Sequence, residues 1–173
     1  LSDSGQFEDI SLQQGIRQIL YPYEEMEVLN PEWEVILKDI IDSLFEQMSD
    51  EEYNILNEEF GTYMVSRAYE YRQLLEYLVF RYFAKSIYDY DFLGKCQMLV
   101  TNFFVIRQMD IIRWLDNHRE YSFKDRMDVV HIFSRQVEYS EDNIENLYED
   151  FIFDDIFKTD SLIAILWIDS ENI

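Results

Sequence analysis

Leu74-Leu75-Glu76-Tyr77-Leu78-Val79-Phe80-Arg81-Tyr82-Phe83 and Met98-Leu99-Val100-Thr101-Asn102-Phe103-Phe104-Val105-Ile106-Arg107 decide the fold of this chain. In both stretches the apolar residues surround the helix instead of forming one stripe, the pattern of a central, buried helix. Yet Arg81, Arg107, Asp110 and Arg113 lie inside that pattern. A buried ion without a partner is prohibitively costly, so each needs a counter-charge or local hydrogen bonds. Arg107, Asp110 and Arg113 are spaced three apart, which lets one face hold an Arg-Asp-Arg ladder. Arg81 has only Glu76 and Asp89 near it along its own helix, so its natural partner is on another helix. The expectation is a buried interhelical charge network built on these four residues.

Working outward, the 173 residues are 48% hydrophobic with only four Gly and two Pro, and the hydrophobic spacing is helical almost throughout. An all-α antiparallel helical bundle of about six to seven helices follows, with residues 1–173 as one helical domain. The single cysteine, Cys96, excludes a disulfide framework and any thiolate cluster built from this chain alone. Glu76, Arg81, Lys85, Lys95 and Arg107 interrupt the apolar runs well before the roughly 20 residues that a bilayer needs. No signal peptide is evident, and a cytoplasmic location is expected. The chain begins with Leu, as the C-terminal part of a longer protein would.

The net charge of -22 is unevenly placed. Residues 1–66 hold 16 acids and 2 bases, residues 67–136 hold 9 and 11, and residues 137–173 hold 11 and 1. Acidic surface on this scale repels nucleic acid and anionic membranes, so neither is expected as a partner. A cationic protein or a lysine-bearing substrate would instead be steered toward it. The alternative is a solvated acidic surface that only maintains solubility.

Punctuation along the chain gives a helix map. Asn30-Pro31-Glu32-Trp33 opens a helix to about Met48, with Asn as cap and Pro in the first turn. Ser49 and Glu52 have capping-box spacing and open a helix that Gly61 is expected to stop. Helices follow over about 63–88, 91–116, 123–139 and 141–152, and Thr159-Asp160 caps a last one through Trp167. Leu12, Ile16, Ile19 and Leu20 have helical spacing, which Tyr21-Pro22-Tyr23 should end.

Catalytic signatures are mostly absent. No Gly-rich phosphate loop occurs, and His118 and His131 form neither a His-Glu-x-x-His nor a Glu-x-x-His pair, so no metal is expected. His131, within Val129-Val130-His131-Ile132-Phe133, reads as a core histidine before a general base. Cys96 reads as a small buried hydrophobe before a reactive thiol beside Lys95. The 13 Tyr and 13 Phe read first as core filling. A ring-lined, acidic cleft would also suit a lysine or methylated lysine.

Three blocks carry a resemblance. Tyr77-Leu78-Val79-Phe80-Arg81-Tyr82-Phe83-Ala84-Lys85-Ser86-Ile87-Tyr88-Asp89-Tyr90-Asp91, Val105-Ile106-Arg107-Gln108-Met109-Asp110-Ile111-Ile112-Arg113-Trp114-Leu115 and Val137-Glu138-Tyr139-Ser140-Glu141-Asp142-Asn143-Ile144-Glu145 resemble the C-terminal half of the flagellin lysine-N-methylase family. Leu29-Asn30-Pro31-Glu32-Trp33-Glu34 extends the likeness. The sequence departs from the family pattern at Tyr139, where a histidine is usual. The resemblance implies a bacterial protein whose upstream, cysteine-rich part holds an iron-sulfur cluster and which methylates flagellin lysines with S-adenosylmethionine. This chain would then be the supporting or substrate-docking half, with neither cofactor of its own and no complete catalytic site. Tyr77, Tyr88, His131 and Glu138 join the four charged residues as candidates for binding. The competing class is a non-enzymatic, acidic helical module that binds a partner protein.

Overall fold

The computed structural model describes residues 10–84 and 90–171. Among them every regular element is helical. Helix α1 (Leu12–Glu24) starts where the Ser11 hydroxyl accepts the Gln14 N–H at 3.2 Å. Pro22 does not end it as expected: it falls in the last turn, where the missing N–H costs a single bond and the chain can wind on to Glu24. Gly15 marks a close approach, since a Cβ there would come within 2.9 Å of the Ile165 side chain.

Helix α2 (Pro31–Ile40) has the expected Asn30 cap and continues as a π turn, Ile41–Glu46. Helix α3 (Asp50–Met64) opens with the Ser49–Glu52 capping box but runs through Gly61. Tertiary contact overrides the stop signal there: Met64 is buried, and the Tyr63 hydroxyl accepts the Tyr121 N–H at 2.9 Å. A 3₁₀ turn (Val65–Arg67) leads into α4 (Ala68–Phe83), so the helix expected over 63–88 begins five residues late; its last residues lie outside the described ones. Helices α5 (Phe92–Asp116), α6 (Phe123–Phe133) with its π turn Ser134–Glu138, α7 (Glu141–Phe153) and α8 (Thr159–Glu171) follow close to expectation.

The core is organised around α5, which packs against α1, α2, α4, α6, α7 and α8. From Thr101 to Ile112 every residue except Phe103 is buried. Helix α2 makes its main helix contacts with α5 and α6 rather than with α3, and α1 packs on α3, α7 and α8. The acidic ends of the sequence therefore meet: Glu25 lines a small pocket together with Glu149 and Asp150. Burial, and then the charges of Asp154 and Glu149, push the Asp150 carboxyl up. No helix among the described residues is long and apolar enough to cross a membrane.

Helix α5 ends in a Schellman motif: the Arg119 N–H bonds the Trp114 carbonyl at 2.7 Å and the His118 N–H bonds the Leu115 carbonyl at 3.0 Å. His118 and Arg119 take φ of 57° and 68°, which L side chains resist. Replacing His118 with Gly should therefore raise stability by about 0.5–1 kcal/mol, read as a higher midpoint in urea; an unchanged or lower midpoint would show that the turn carries no strain.

Candidate functional site

The buried polar residues of α5 reach out to several of the helices packed around it. Asp110, fully buried, accepts the Tyr71 hydroxyl at 2.7 Å, the Tyr121 hydroxyl and Nη1 of Arg126. Arg126 lies over two rings, 4.4 Å from the Tyr71 centroid and 5.3 Å from that of Tyr121. Its Nε contacts Glu70 at 3.4 Å, and Glu70 in turn holds Arg67 at 2.7 Å. Burial disfavours the Arg126 cation, but Asp110, Tyr71 and Tyr121 together outweigh it and move the guanidinium pKa up. The Arg107-Asp110-Arg113 ladder does not form. Arg107 donates to Asn57 Oδ1 at 2.9 Å and lies 3.8 Å from Asp169, because α3 and α8 cover that face of α5. Sequence reasoning missed Arg126, which stands in a charged run, Lys124-Asp125-Arg126, that reads as solvated. Its signal was the spacing Arg126, Val129, Ile132, Phe133, which places it on the buried stripe of α6.

A second cluster surrounds Glu138. The carboxylate accepts the Tyr77 hydroxyl at 2.7 Å, Ser134 at 2.8 Å and Tyr82 at 3.3 Å, with Arg81 Nε 3.9 Å away. Arg81, half-buried, thus finds its partner on another helical element, as its surroundings in α4 required. The chain of contacts continues inward: Asn102 donates to the Tyr82 hydroxyl at 2.8 Å and accepts from Tyr23 at 2.6 Å. Burial, then the bond to Glu138 and its charge, push the Tyr77 phenol up to about 12. Tyr88 lies outside the described residues. Tyr139, at the family's histidine position, is exposed.

A broad concave surface lies elsewhere. A cleft of about 790 Å³ runs between α2, α5 and α6, with Met109, Ile112 and Ile132 on its floor. Glu32 and Asp39 from α2, Asp116 from α5 and Asp128 from α6 supply carboxylates, and Arg113 and Arg135 add two cations. Here the structure brings together two residues singled out in the sequence, Arg113 and His131. His131 is exposed, not core: the buried face of α6 is carried by Arg126, Val129, Ile132 and Phe133, and position 131 points away from it. No Phe, Tyr or Trp lines the cleft, so the alternative of a ring-lined lysine site is not found there. Several of those rings instead serve internal cations: Arg126, Arg67 over Tyr121, and Lys95 over Tyr148.

Cys96 is partly buried, and burial pushes its thiol up, so Lys95 does not activate it. Lys95 donates to the Tyr148 hydroxyl at 2.8 Å. Among the described residues no group of three or more His, Cys, Asp or Glu is placed to hold a metal ion. An iron-sulfur cluster takes several thiolates, which one cysteine does not supply, so these residues do not fit that group.

Two measurements check this electrostatic account. Arg126→Met should destabilise the fold by about 3–5 kcal/mol, because it strands a buried carboxylate, and pairing it with Asp110→Leu should recover part of the loss. Tyr77 favours its neutral form in the folded state, so its contribution is complete below the ordinary value of about 10 and disappears as pH rises through about 12. Phenolate absorbance should then show a Tyr77 component that appears only near pH 12; ionisation of Tyr77 near pH 10 with the helices intact would contradict the hydroxyl network.

Comparison with known proteins agrees with the blocks that carry the resemblance. No curated protein and no solved structure matches the chain. Residues 4–165 match the family described as the FliB lysine N-methylase C-terminal domain. That span takes in α1 to α7, the Asp110 and Glu138 clusters, every cleft residue and most of α8, and on it this chain belongs to the FliB lysine N-methylase C-terminal domain family.

Proposed function

We propose that this domain docks the lysine-bearing segment of a protein substrate for a lysine N-methylase, in the cleft between α2, α5 and α6. The observation that carries this reading is the pairing of an aliphatic floor with carboxylates from three helices. A lysine side chain is built for such a surface: its four methylenes lie along Met109, Ile112 and Ile132 while the ammonium stays at the wet rim beside Asp39, Asp116 or Asp128. Arg113 and Arg135 would read acidic or carbonyl groups of the same segment, giving it direction along the cleft. Family membership supplies the chemistry of the target, a lysine, and makes flagellin the natural protein to test.

The reading assigns to these residues the holding and orientation of the lysine, and no methyl-transfer step. A carboxylate beside the ammonium favours its protonated, non-nucleophilic form, so the cleft suits capture better than attack. S-adenosylmethionine and a cluster, by the family's chemistry, belong to the parent protein in this scheme.

Titrating flagellin, or a lysine peptide from it, against the chain tests the proposal. Binding should weaken several-fold between low and high salt, since rim charges are screened. Asp39→Asn with Asp128→Asn should weaken it by about tenfold while leaving the helical circular dichroism unchanged. The same peptide with its lysines changed to norleucine should bind no better than the double variant. Equal binding by all three combinations would place docking elsewhere.

A further inference from the structure

The face of α4 turned away from the core carries an apolar stripe that the cleft does not use. Leu74, Leu78 and Tyr82 point inward, and the opposite side carries Ala68, Arg72, Leu75, Glu76, Val79 and Phe80 around one continuous groove. Phe80 is 79% exposed, Tyr69 56% and Val79 45%, values that a solvated helix of ordinary composition would not combine on one side. Leu75 and Val79 recur at the 3–4 spacing of a helix-pairing seam that begins at Ala68.

What fits this face can be read from its own symmetry. Arg72 and Glu76 form an exposed pair at 2.9 Å, one turn apart, with the groove's apolar residues on both sides of them. A second α4 running antiparallel, with the two-fold axis at the level of Leu74, places Arg72 opposite Glu76 of the second copy, and Glu76 opposite its Arg72. The same operation sets Phe80 against Tyr69 on one flank and Val79 against Ala68 on the other, an aromatic pair and a large-against-small pair, each made twice. The charges in α4, Glu70, Arg72, Glu76 and Arg81, sum to zero, in a chain whose total is -22. Two copies can therefore approach here without the repulsion that their acidic ends would impose.

We infer that the outer face of α4 is a self-association surface, occupied by the α4 of a second copy of this chain in an antiparallel, two-fold arrangement. The cleft residues of α2, α5 and α6 play no part in it, so the inference stands apart from the docking function. Ion pairing fixes the register and the aromatic pairs supply the buried area.

Sedimentation of the 173-residue chain from low-micromolar to sub-millimolar concentration tests this, with circular dichroism confirming that each variant keeps its helices. A monomer–dimer equilibrium is expected. Phe80→Lys, Arg72→Glu and Glu76→Arg should each weaken it by about tenfold or more, since each removes an anchor or sets like charges opposite one another. Combining Arg72→Glu with Glu76→Arg should restore the dimer, because the exchanged pair meets its own reverse across the axis. A chain that stays monomeric at every concentration overturns the inference and leaves the face to a different partner. A dimer indifferent to the single charge reversals, or not rescued by the exchange, overturns it equally.

Discussion

From Thr101 to Ile112, α5 has almost no access to water, so every polar group it carries must be satisfied by whichever helix covers it. That single constraint distributes the interior chemistry of the domain. Asn102 looks toward α1 and α4, Arg107 toward α3 and α8, Gln108 toward Tyr53 of α3, and Asp110 toward α4 and α6. Each polar contact also fixes the rotation of a neighbour about its own axis. Apolar packing alone tolerates substitution and sliding; a buried carboxylate that loses its guanidinium does not. The aromatic content belongs to the same logic: tyrosine brings an apolar ring and a hydroxyl together, and Tyr23, Tyr53, Tyr71, Tyr82 and Tyr121 each donate into the polar interior while filling it.

The two π turns extend this arrangement. In Ser134–Glu138 three consecutive residues, Gln136, Val137 and Glu138, are buried, which one face of a regular α-helix does not permit. Widening the turn lets Gln136 reach the segment before α2, accepting the Leu29 N–H at 2.9 Å and donating to the Glu27 carbonyl at 2.7 Å, while Glu138 reaches α4. Asn143 joins the same clamp through Glu27. The segment that leads into α2 is thereby tied to α6 and α7, and with it the acidic wall of the cleft. Both walls of that cleft, α2 and α6, pass into π turns at their C-terminal ends. The position of Glu32 and Asp39 opposite Asp128 is thus set by hydrogen bonds at some remove from the cleft itself.

The cleft and the α4 face differ in the kind of recognition they offer. The cleft pairs an aliphatic floor with charges of both signs, the feature on which the proposed docking of a lysine side chain rests. The α4 face is apolar with one self-complementary ion pair, a surface matched to another helix. Neither resembles a chemical centre that assembles a nucleophile, a base and an oxyanion site, and the buried carboxylates that have unusual surroundings, Asp110 and Glu138, are enclosed by hydroxyls and guanidinium groups that stabilise the fold.

Local sequence determined the helices, because caps and periodicity act over a few residues: Ser49 with Glu52, Ser122 with Asp125, and Asn30 with Pro31 all start helices where their side chains reach the first free N–H groups. It also indicated that α5 would be central, that Arg81 would look to another helix, and, through three blocks of residues, the family. The same all-round apolar pattern in Leu74–Phe83 did not make α4 central, because neighbouring helices cover only its Leu74, Leu78 and Tyr82 side and leave Val79 and Phe80 exposed. What it could not contain is which helix lies against which. Arg107 and Asp110 are well spaced to pair with each other, but a residue on a helix enclosed on every side meets its neighbours first, and Asn57, Asp169 and Arg126 come from positions 16 to 62 residues away. Gly61 and Pro22 likewise carry local stop signals that packing of Met64 and Tyr23 overrides. The cleft was decided only by tertiary structure, since its acids come from three helices and His131 turns outward from a run of apolar neighbours because one side of α6 alone is covered by α2 and α5.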